Sequence, residues 1–142
     1  LCAGHLLVWT WRKMVAGEEG CMLLVREYEI FAGPRAAELL NALGIFLVML
    51  GRGSRRTLSV GQPYCAGITN DEGQILRLIA AAQEGQSALV AAHLSWLVRG
   101  TSVAAVQDLL EKLAALLAVC GVILPRVDYQ APPERPLLEV AG

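Results

Sequence analysis

The chain has almost no net charge and few charged residues. Its 12 basic and 13 acidic residues leave a net charge of −1, and charged residues make up 18% of the 142 residues. Proteins that bind nucleic acid or anionic membranes electrostatically carry a clear basic excess. The charge balance therefore argues against a nucleic-acid partner and a membrane surface. Only two of the basic residues, Lys13 and Lys112, are lysines, which indicates the codon usage of a GC-rich bacterial genome.

The motifs of common catalytic and metal sites are also missing. The sequence has no GxSxG, HExxH, GxGxxG or GxxxxGK[ST] pattern. Cys2-x-x-His5 has the spacing of a metal-binding pair, but the second close pair that a structural zinc site needs is absent. The other cysteines, Cys21, Cys65 and Cys120, form no CxxC motif. We therefore expect reduced thiols, a cytoplasmic protein with no metal or cofactor, and no catalytic residues.

Apolar runs long enough to span a bilayer are not evident. Residues 39–50 and 113–124 are the most apolar windows, and each falls short of the roughly 20 residues that a spanning helix needs. The N-terminus also lacks the pattern of a signal peptide. Hydrophobic residues nevertheless make up 55% of the chain. We expect a soluble protein whose surplus apolar surface supports self-association as a homodimer, or contact with another protein.

The spacing of apolar residues predicts an all-α, single-domain bundle of about six helices over residues 1–124. Apolar residues recur every three or four positions, as on one face of a helix. Thr69-x-x-Glu72 has the form of an N-terminal capping box, and Gly85, Gly100 and Gly121 mark helix ends. The clearest periodicity is in the last helix, where a seam of apolar residues spaced by three and four is predicted: Val103, Val106, Leu110, Leu113, Leu117 and Cys120. The last three helices are expected to lie near-antiparallel. The predicted helices cover residues 6–15, 21–31, 35–50, 69–85, 87–98 and 103–120.

Two of these helices carry specific expectations. The first should place Leu7, Trp11, Met14 and Val15 on its buried face and turn Arg12 and Lys13 outward. The third, residues 35–50, is apolar almost all round, so it should be surrounded at the centre of the bundle. Gly44 in its middle would then mark a close helix crossing.

Two segments do not show helical periodicity. Residues 51–68 form an irregular loop rich in glycine and arginine, in which residues 57–60 alternate as a short strand would. Residues 121–124 are its one candidate partner strand. From Pro125 onward four prolines forbid a continuous helix. Residues 125–142 should therefore be an extended tail that packs on the bundle or leaves it.

The sequence is compatible with three functions. The first is protein–protein interaction or self-association, which the apolar composition favours. The second is an enzyme or small-ligand site between helices at His93, with Trp96 and Tyr64 beside it. His93 lies on an apolar arc, however, where a hydrogen-bonded core histidine is the simpler interpretation. The third is anion or nucleic-acid binding by Arg52, Arg55 and Arg56, whose guanidinium groups offer paired donors.

Overall fold

The structure, a computed structural model, describes residues 3–18, 21–62 and 67–125. Within these ranges the chain is helical and forms no strand, so the all-α prediction is confirmed. A single 3-10 turn, Gly33–Arg35, separates the second helix from the third, so these two also count as one bent helical run. The predicted tail lies almost wholly outside the described residues. The helices are α1 Ala3–Val15, α2 Met22–Ala32, α3 Ala36–Gly53, α4 Asn70–Gln83, α5 Ser87–Leu97 and α6 Val103–Val119.

Local capping chemistry sets several helix ends. The hydroxyl oxygen of Thr69 accepts a hydrogen bond from the Glu72 N–H at 3.1 Å, and a Glu72 carboxylate oxygen accepts from the Thr69 N–H at 2.8 Å. This reciprocal pair is the predicted capping box, which satisfies two free N–H groups at the start of α4. Gly85 and Gly121 adopt φ values of 73° and 85°, in the left-handed region that ends a helix. The predicted end at Gly100 is wrong, because α5 already ends at Leu97.

Helix α6 lies at the centre of the fold and packs against α3, α4 and α5. The residues predicted to form its apolar seam include Val106, Leu110, Leu113 and Leu117, and all four are fully buried. Val103 at one end of this seam is partly buried and packs against the same core. The three-and-four spacing therefore predicted the buried face of α6 correctly, but the helix expected at the centre of the bundle was the third, not α6.

Helix α3 buries one side only, so the expectation of a fully surrounded helix is wrong. Leu39, Leu43 and Phe46 face the core, whereas Ile45 and Val48 are exposed. The more thoroughly buried helix is α4, which carries nine buried residues within its 14.

The glycine within α3 is not explained by a close helix crossing either. A Cβ built on Gly44 would lie 3.9 Å from the nearest Met14 side-chain atoms, which is ordinary van der Waals contact. The close approach is at Gly53, where a Cβ would lie 2.8 Å from the Cβ of Ser102. Tight packing against α3 therefore occurs at its C-terminal end.

The loop after α3 does not form the predicted strand. Residues 57–60 form no strand. The backbone pairing in this region is instead an isolated antiparallel bridge between Ser54 and Val98. Residues 121–124 are likewise no partner strand, because the Leu124 N–H donates to the side-chain oxygen of Gln83 at 2.8 Å. Side chains from α1 and α4 hold the loop in place of a partner strand.

The run Met22–Gly53, which spans α2 and α3, is long and apolar enough to cross a membrane by length and composition alone. It has 32 residues, and the mean hydropathy of its most apolar window is 1.4. The core helix of a soluble bundle can meet the same criterion. The run is bent at Gly33, which has a φ of 55° and precedes Pro34. The apolar window predicted at residues 39–50 covers only the second half of this run.

Candidate functional site

A buried ion pair between α1 and α4 organises the irregular loop. The guanidinium of Arg12 donates from Nε and Nη2 to the two carboxylate oxygens of Glu72, at 2.8 and 2.7 Å. Arg12 is only 5% exposed and Glu72 is completely buried. The same guanidinium donates to the backbone carbonyls of Gln62 and Gly67. The prediction that Arg12 faces solvent is therefore wrong, because the loop covers it. Lys13, also expected to face solvent, is buried, and Val15, expected on the buried face, is exposed.

The carboxylate of Glu72 is fully engaged within the protein. Besides Arg12, it accepts hydrogen bonds from the N–H groups of Thr69 and Gly61, at 2.8 and 3.0 Å. A Cβ built on Gly61 would lie 2.7 Å from the Arg12 guanidinium, so a larger residue would displace this guanidinium from its position against Glu72. Because each charge has its partners inside the fold, we interpret the Arg12–Glu72 pair as structural.

A second ion pair uses one of the three arginines predicted to bind anions. Arg56 donates to both carboxylate oxygens of Asp71, with Nη1 to Oδ2 at 2.9 Å. The Ser59 N–H donates to the same Oδ2 at 2.6 Å. Asp71 is buried, while the Arg56 side chain is more than half exposed. Arg56 therefore closes the loop onto the start of α4, and much of its donor capacity is already used.

These ion pairs set the pH dependence of stability. Hydrogen bonding to Arg56 is the main cause that lowers the pKa of Asp71 below its ordinary 3.8. Burial acts to raise the pKa of Glu72, but hydrogen bonds from Arg12, Thr69 and Gly61 outweigh it and lower the pKa below 4.5. A depressed carboxyl pKa stabilises the fold above the ordinary value, and this stabilisation is lost as pH falls through the folded value.

We therefore expect the free energy of unfolding to fall steeply below about pH 4, where unfolded carboxyl groups begin to bind protons. Urea unfolding followed by circular dichroism, repeated at several pH values between about 6 and 3, measures this slope. Asp71→Asn should flatten it. The control Glu38→Gln, which removes a surface partner of Arg35, should not. Equal slopes in the native protein and Asp71→Asn would contradict the assignment.

Arg52 and Arg55 lie with Arg56 and Arg99 around an open cleft. Arg55 donates to the carbonyl of Ser95 at 3.1 Å, and Arg99 donates to the backbone carbonyl of Arg52 at 3.0 Å. The side chain of Arg52 makes no ion pair or hydrogen bond among those identified within the described ranges. We call this space, of about 660 Å³, the arginine cleft; Arg52, Arg55, Arg56 and Arg99 line it.

Sequence reasoning missed Arg99 as a member of this cluster. It lies more than 40 positions after the other arginines. The bridge between Ser54 and Val98 brings it to the cleft, together with the hydrogen bond from the Arg99 N–H to the Gly53 carbonyl at 2.8 Å. No local pattern in the sequence signals this pairing of a loop with the residue after α5.

An apolar groove adjoins the arginine cleft. It lies between α1 and the exposed side of α3 and has a volume of about 650 Å³. This size is typical of a site for a small molecule. Its walls include Trp11, Met14 and Val15 from α1, and Gly44, Ile45 and Val48 from α3; we call it the α1–α3 groove.

The residues predicted for a ligand site on α5 lie elsewhere. His93 is partly buried, and burial followed by the charge of Arg77 lowers its pKa, so the imidazole is neutral at pH 7. Trp96 is 81% exposed and lies outside the core. Neither the α1–α3 groove nor the arginine cleft is lined by these residues. Tyr64 lies outside the described residues, and a ligand role for His93 stays a prediction.

The structure offers no metal-binding cluster among the residues that it describes. Within these ranges no three His, Cys, Asp or Glu side chains are grouped to hold an ion. Cys21 and Cys120 are free thiols, and Cys2 and Cys65 fall outside the described ranges. The first turn of α2 lowers the pKa of the Cys21 thiol, chiefly through the backbone N–H groups of Leu24 and Leu23.

Comparisons of the chain with protein-family models, with curated proteins and with solved structures gave no match. Unpartnered apolar surfaces among the described residues include a face of α2, where Leu23 and Ile30 are exposed, and the α1–α3 groove.

Proposed function

We propose that the protein works through protein contact as a homodimer, and that the exposed face of α2 is the dimer surface. The observation that carries this proposal is that two large apolar side chains are exposed on one face of that helix. Leu23 and Ile30 are 68% and 73% exposed. They lie seven residues apart, so two helical turns place them on the same face. An unpartnered apolar line of this kind is typical of an interaction surface.

The order of residues on this face is self-complementary. Leu23, Arg26, Glu27 and Ile30 follow one another with spacings of three, one and three, which is the same in both directions. If two copies of α2 pair antiparallel about a twofold axis between positions 26 and 27, Leu23 meets Ile30 of the second copy. Arg26 then meets Glu27 of the second copy. A twofold interface requires such a surface, because each patch contacts its own copy.

The charges at the centre of this face are available for the pairing. Arg26 and Glu27 are both exposed, and no ion pair involves either of them within the described ranges. In the antiparallel dimer they form two identical ion pairs, flanked on each side by an apolar contact. A single helix of 11 residues offers a small contact area, so we expect a weak dimer whose population depends on concentration.

We expect sedimentation velocity over a range of protein concentrations to show a monomer–dimer equilibrium. Arg26→Glu should weaken the dimer by about tenfold or more, because like charges then face each other. Glu27→Arg should do the same. An equimolar mixture of the two variants should restore a dimer, now mixed, because every facing pair is again of opposite charge.

The matched control places a charge on an exposed apolar residue outside this face. Ile123→Glu should leave the dimer unchanged, whereas Ile30→Glu should abolish it; both native side chains are exposed. A strict monomer at all concentrations would overturn the proposal. A dimer that survives Arg26→Glu and Ile30→Glu would place the interface elsewhere.

We further propose that this dimer belongs to the reducing cytoplasm of a bacterium. The free thiols of Cys21 and Cys120 support this compartment, since disulfides persist mainly in oxidising environments. Proteomic detection in the cytoplasmic fraction of the source cells would support it, and recovery from the periplasm would contradict it.

A further inference from the structure

We propose that the α1–α3 groove and the arginine cleft together bind a single-chain anionic amphiphile of the fatty-acid class. The tail would lie along the groove, and the carboxylate would meet the guanidinium groups at the end of α3. This binding site uses residues other than the proposed dimer face on α2, so the two proposals can fail independently.

The groove supplies the environment that an alkyl chain needs. Its walls are almost entirely apolar, with Asn41 the one side chain among them that carries an amide. Ile45 and Val48 line it although they remain substantially exposed to water. Covering them with a tail removes apolar surface from water, which is the main driving force for such a ligand.

The groove and the cleft adjoin each other. Trp11, Val15 and Leu47 line both of them. The two spaces are therefore neighbours, with these three side chains at their junction. An apolar groove beside a cationic cleft is complementary to a molecule with a long tail and a charged head.

The charge of the cleft selects an anion. Four arginines and no acidic residue line it. Arg56 is committed to Asp71, but Arg55 and Arg99 each use one donor on a backbone carbonyl. Each guanidinium has five N–H donors and binds carboxylates in pairs, so donors remain for a ligand.

The geometry of α3 matches a chain of moderate length. Asn41, Ile45, Val48 and Arg52 follow one another at spacings of four, three and four, so they lie along one exposed face. The distance along the helix from Asn41 to Arg52 is about 16 Å at 1.5 Å per residue. An extended dodecanoate is of comparable length, so its carboxylate would reach Arg52 when its tail ends near Asn41.

The test is isothermal titration of the full chain with dodecanoate below its micelle concentration. We expect saturable binding, and weaker binding of both dodecanol, which lacks the charge, and acetate, which lacks the tail. Val48→Glu should weaken dodecanoate binding by at least about tenfold, since it places a carboxylate in the path of the tail. Arg52→Gln should weaken it by about three- to fivefold, with a smaller loss at high salt.

Two control variants carry the same chemical changes away from the site. Leu89→Glu places a carboxylate on an exposed apolar residue of α5, and Lys112→Gln removes a surface charge from α6. Neither should change dodecanoate binding. The titration is repeated on the Arg26→Glu variant, where binding should persist whether or not the protein dimerises.

Three outcomes would overturn the proposal. The first is no heat and no saturation with dodecanoate. The second is equal weakening by Val48→Glu and Leu89→Glu, which would indicate nonspecific adsorption. The third is co-sedimentation with phosphatidylglycerol vesicles without any binding of monomeric dodecanoate, which would identify a membrane-surface contact instead.

Discussion

Arg12→Met is expected to destabilise the protein by about 3–5 kcal/mol, the loss that follows when one partner of a buried ion pair is removed. The substitution keeps the aliphatic volume of the side chain but leaves the Glu72 carboxylate buried without its cation. It also removes the donors that hold the carbonyls of Gln62 and Gly67. Urea unfolding followed by circular dichroism measures the difference in the free energy of unfolding.

The neighbouring residue on the same helix provides a matched control. Lys13 is also buried, but its partner Glu18 is about half exposed to water. Lys13→Met leaves that carboxylate solvated, so we expect a loss of no more than about 1 kcal/mol from this ion pair. If the two variants lost equal stability, the Arg12–Glu72 pair would not be the buried contact that the structure shows.

A double substitution separates the ion pair from the surrounding packing. In Arg12→Met with Glu72→Gln, the neutral amide can still accept the hydrogen bond from the Thr69 N–H, and no uncompensated charge remains. The combined loss should therefore be clearly smaller than the sum of the two single losses, with a coupling of about 1–3 kcal/mol. Additive losses would indicate that the two side chains act independently.

The parts of the fold that the sequence predicted well rest on local or periodic signals. The capping box at Thr69 involves residues three positions apart, so both partners are visible in one short segment. The seam of α6 repeats over five turns, so its periodicity stands out from chance. Gly85 and Gly121 end helices because glycine, which has no Cβ, adopts the left-handed conformation without steric cost. Such signals need no knowledge of distant contacts.

The features that sequence reasoning missed depend on contacts between distant parts of the chain. Arg12 looks like a surface residue because it falls on the polar side of α1, and its partner Glu72 is 60 positions away. In the sequence, the capping box alone accounts for the presence of Glu72. Its ion pair with Arg12 becomes evident only in the structure, where the loop covers both side chains. Arg99 joins the arginine cleft through a single backbone bridge. A helical wheel contains none of these pairings.

The exposed side of α3 could not be predicted for a different reason. Composition shows that this helix is apolar all round, and a surrounding shell is the simplest way to satisfy such a helix. The bundle instead places α1 along part of it and leaves Ile45 and Val48 open. The α1–α3 groove arises from the way α1 packs beside α3. It can therefore be predicted only when the positions of both helices are known.

Leu110→Ala is expected to destabilise the protein by about 2–5 kcal/mol, whereas Leu109→Ala should lose much less. The two leucines are adjacent on α6, and Ala is a good helix former at either position. Leu110 is fully buried in the seam, so its removal leaves a cavity between α6 and its neighbours; Leu109 is only partly buried. Thermal unfolding measures the stability of each variant. Because both substitutions are Leu→Ala, the difference between the two losses reports the cost of the cavity at Leu110. Equal losses would mean that the seam residue is no better packed than its neighbour, and α6 would then not be the centre of the core.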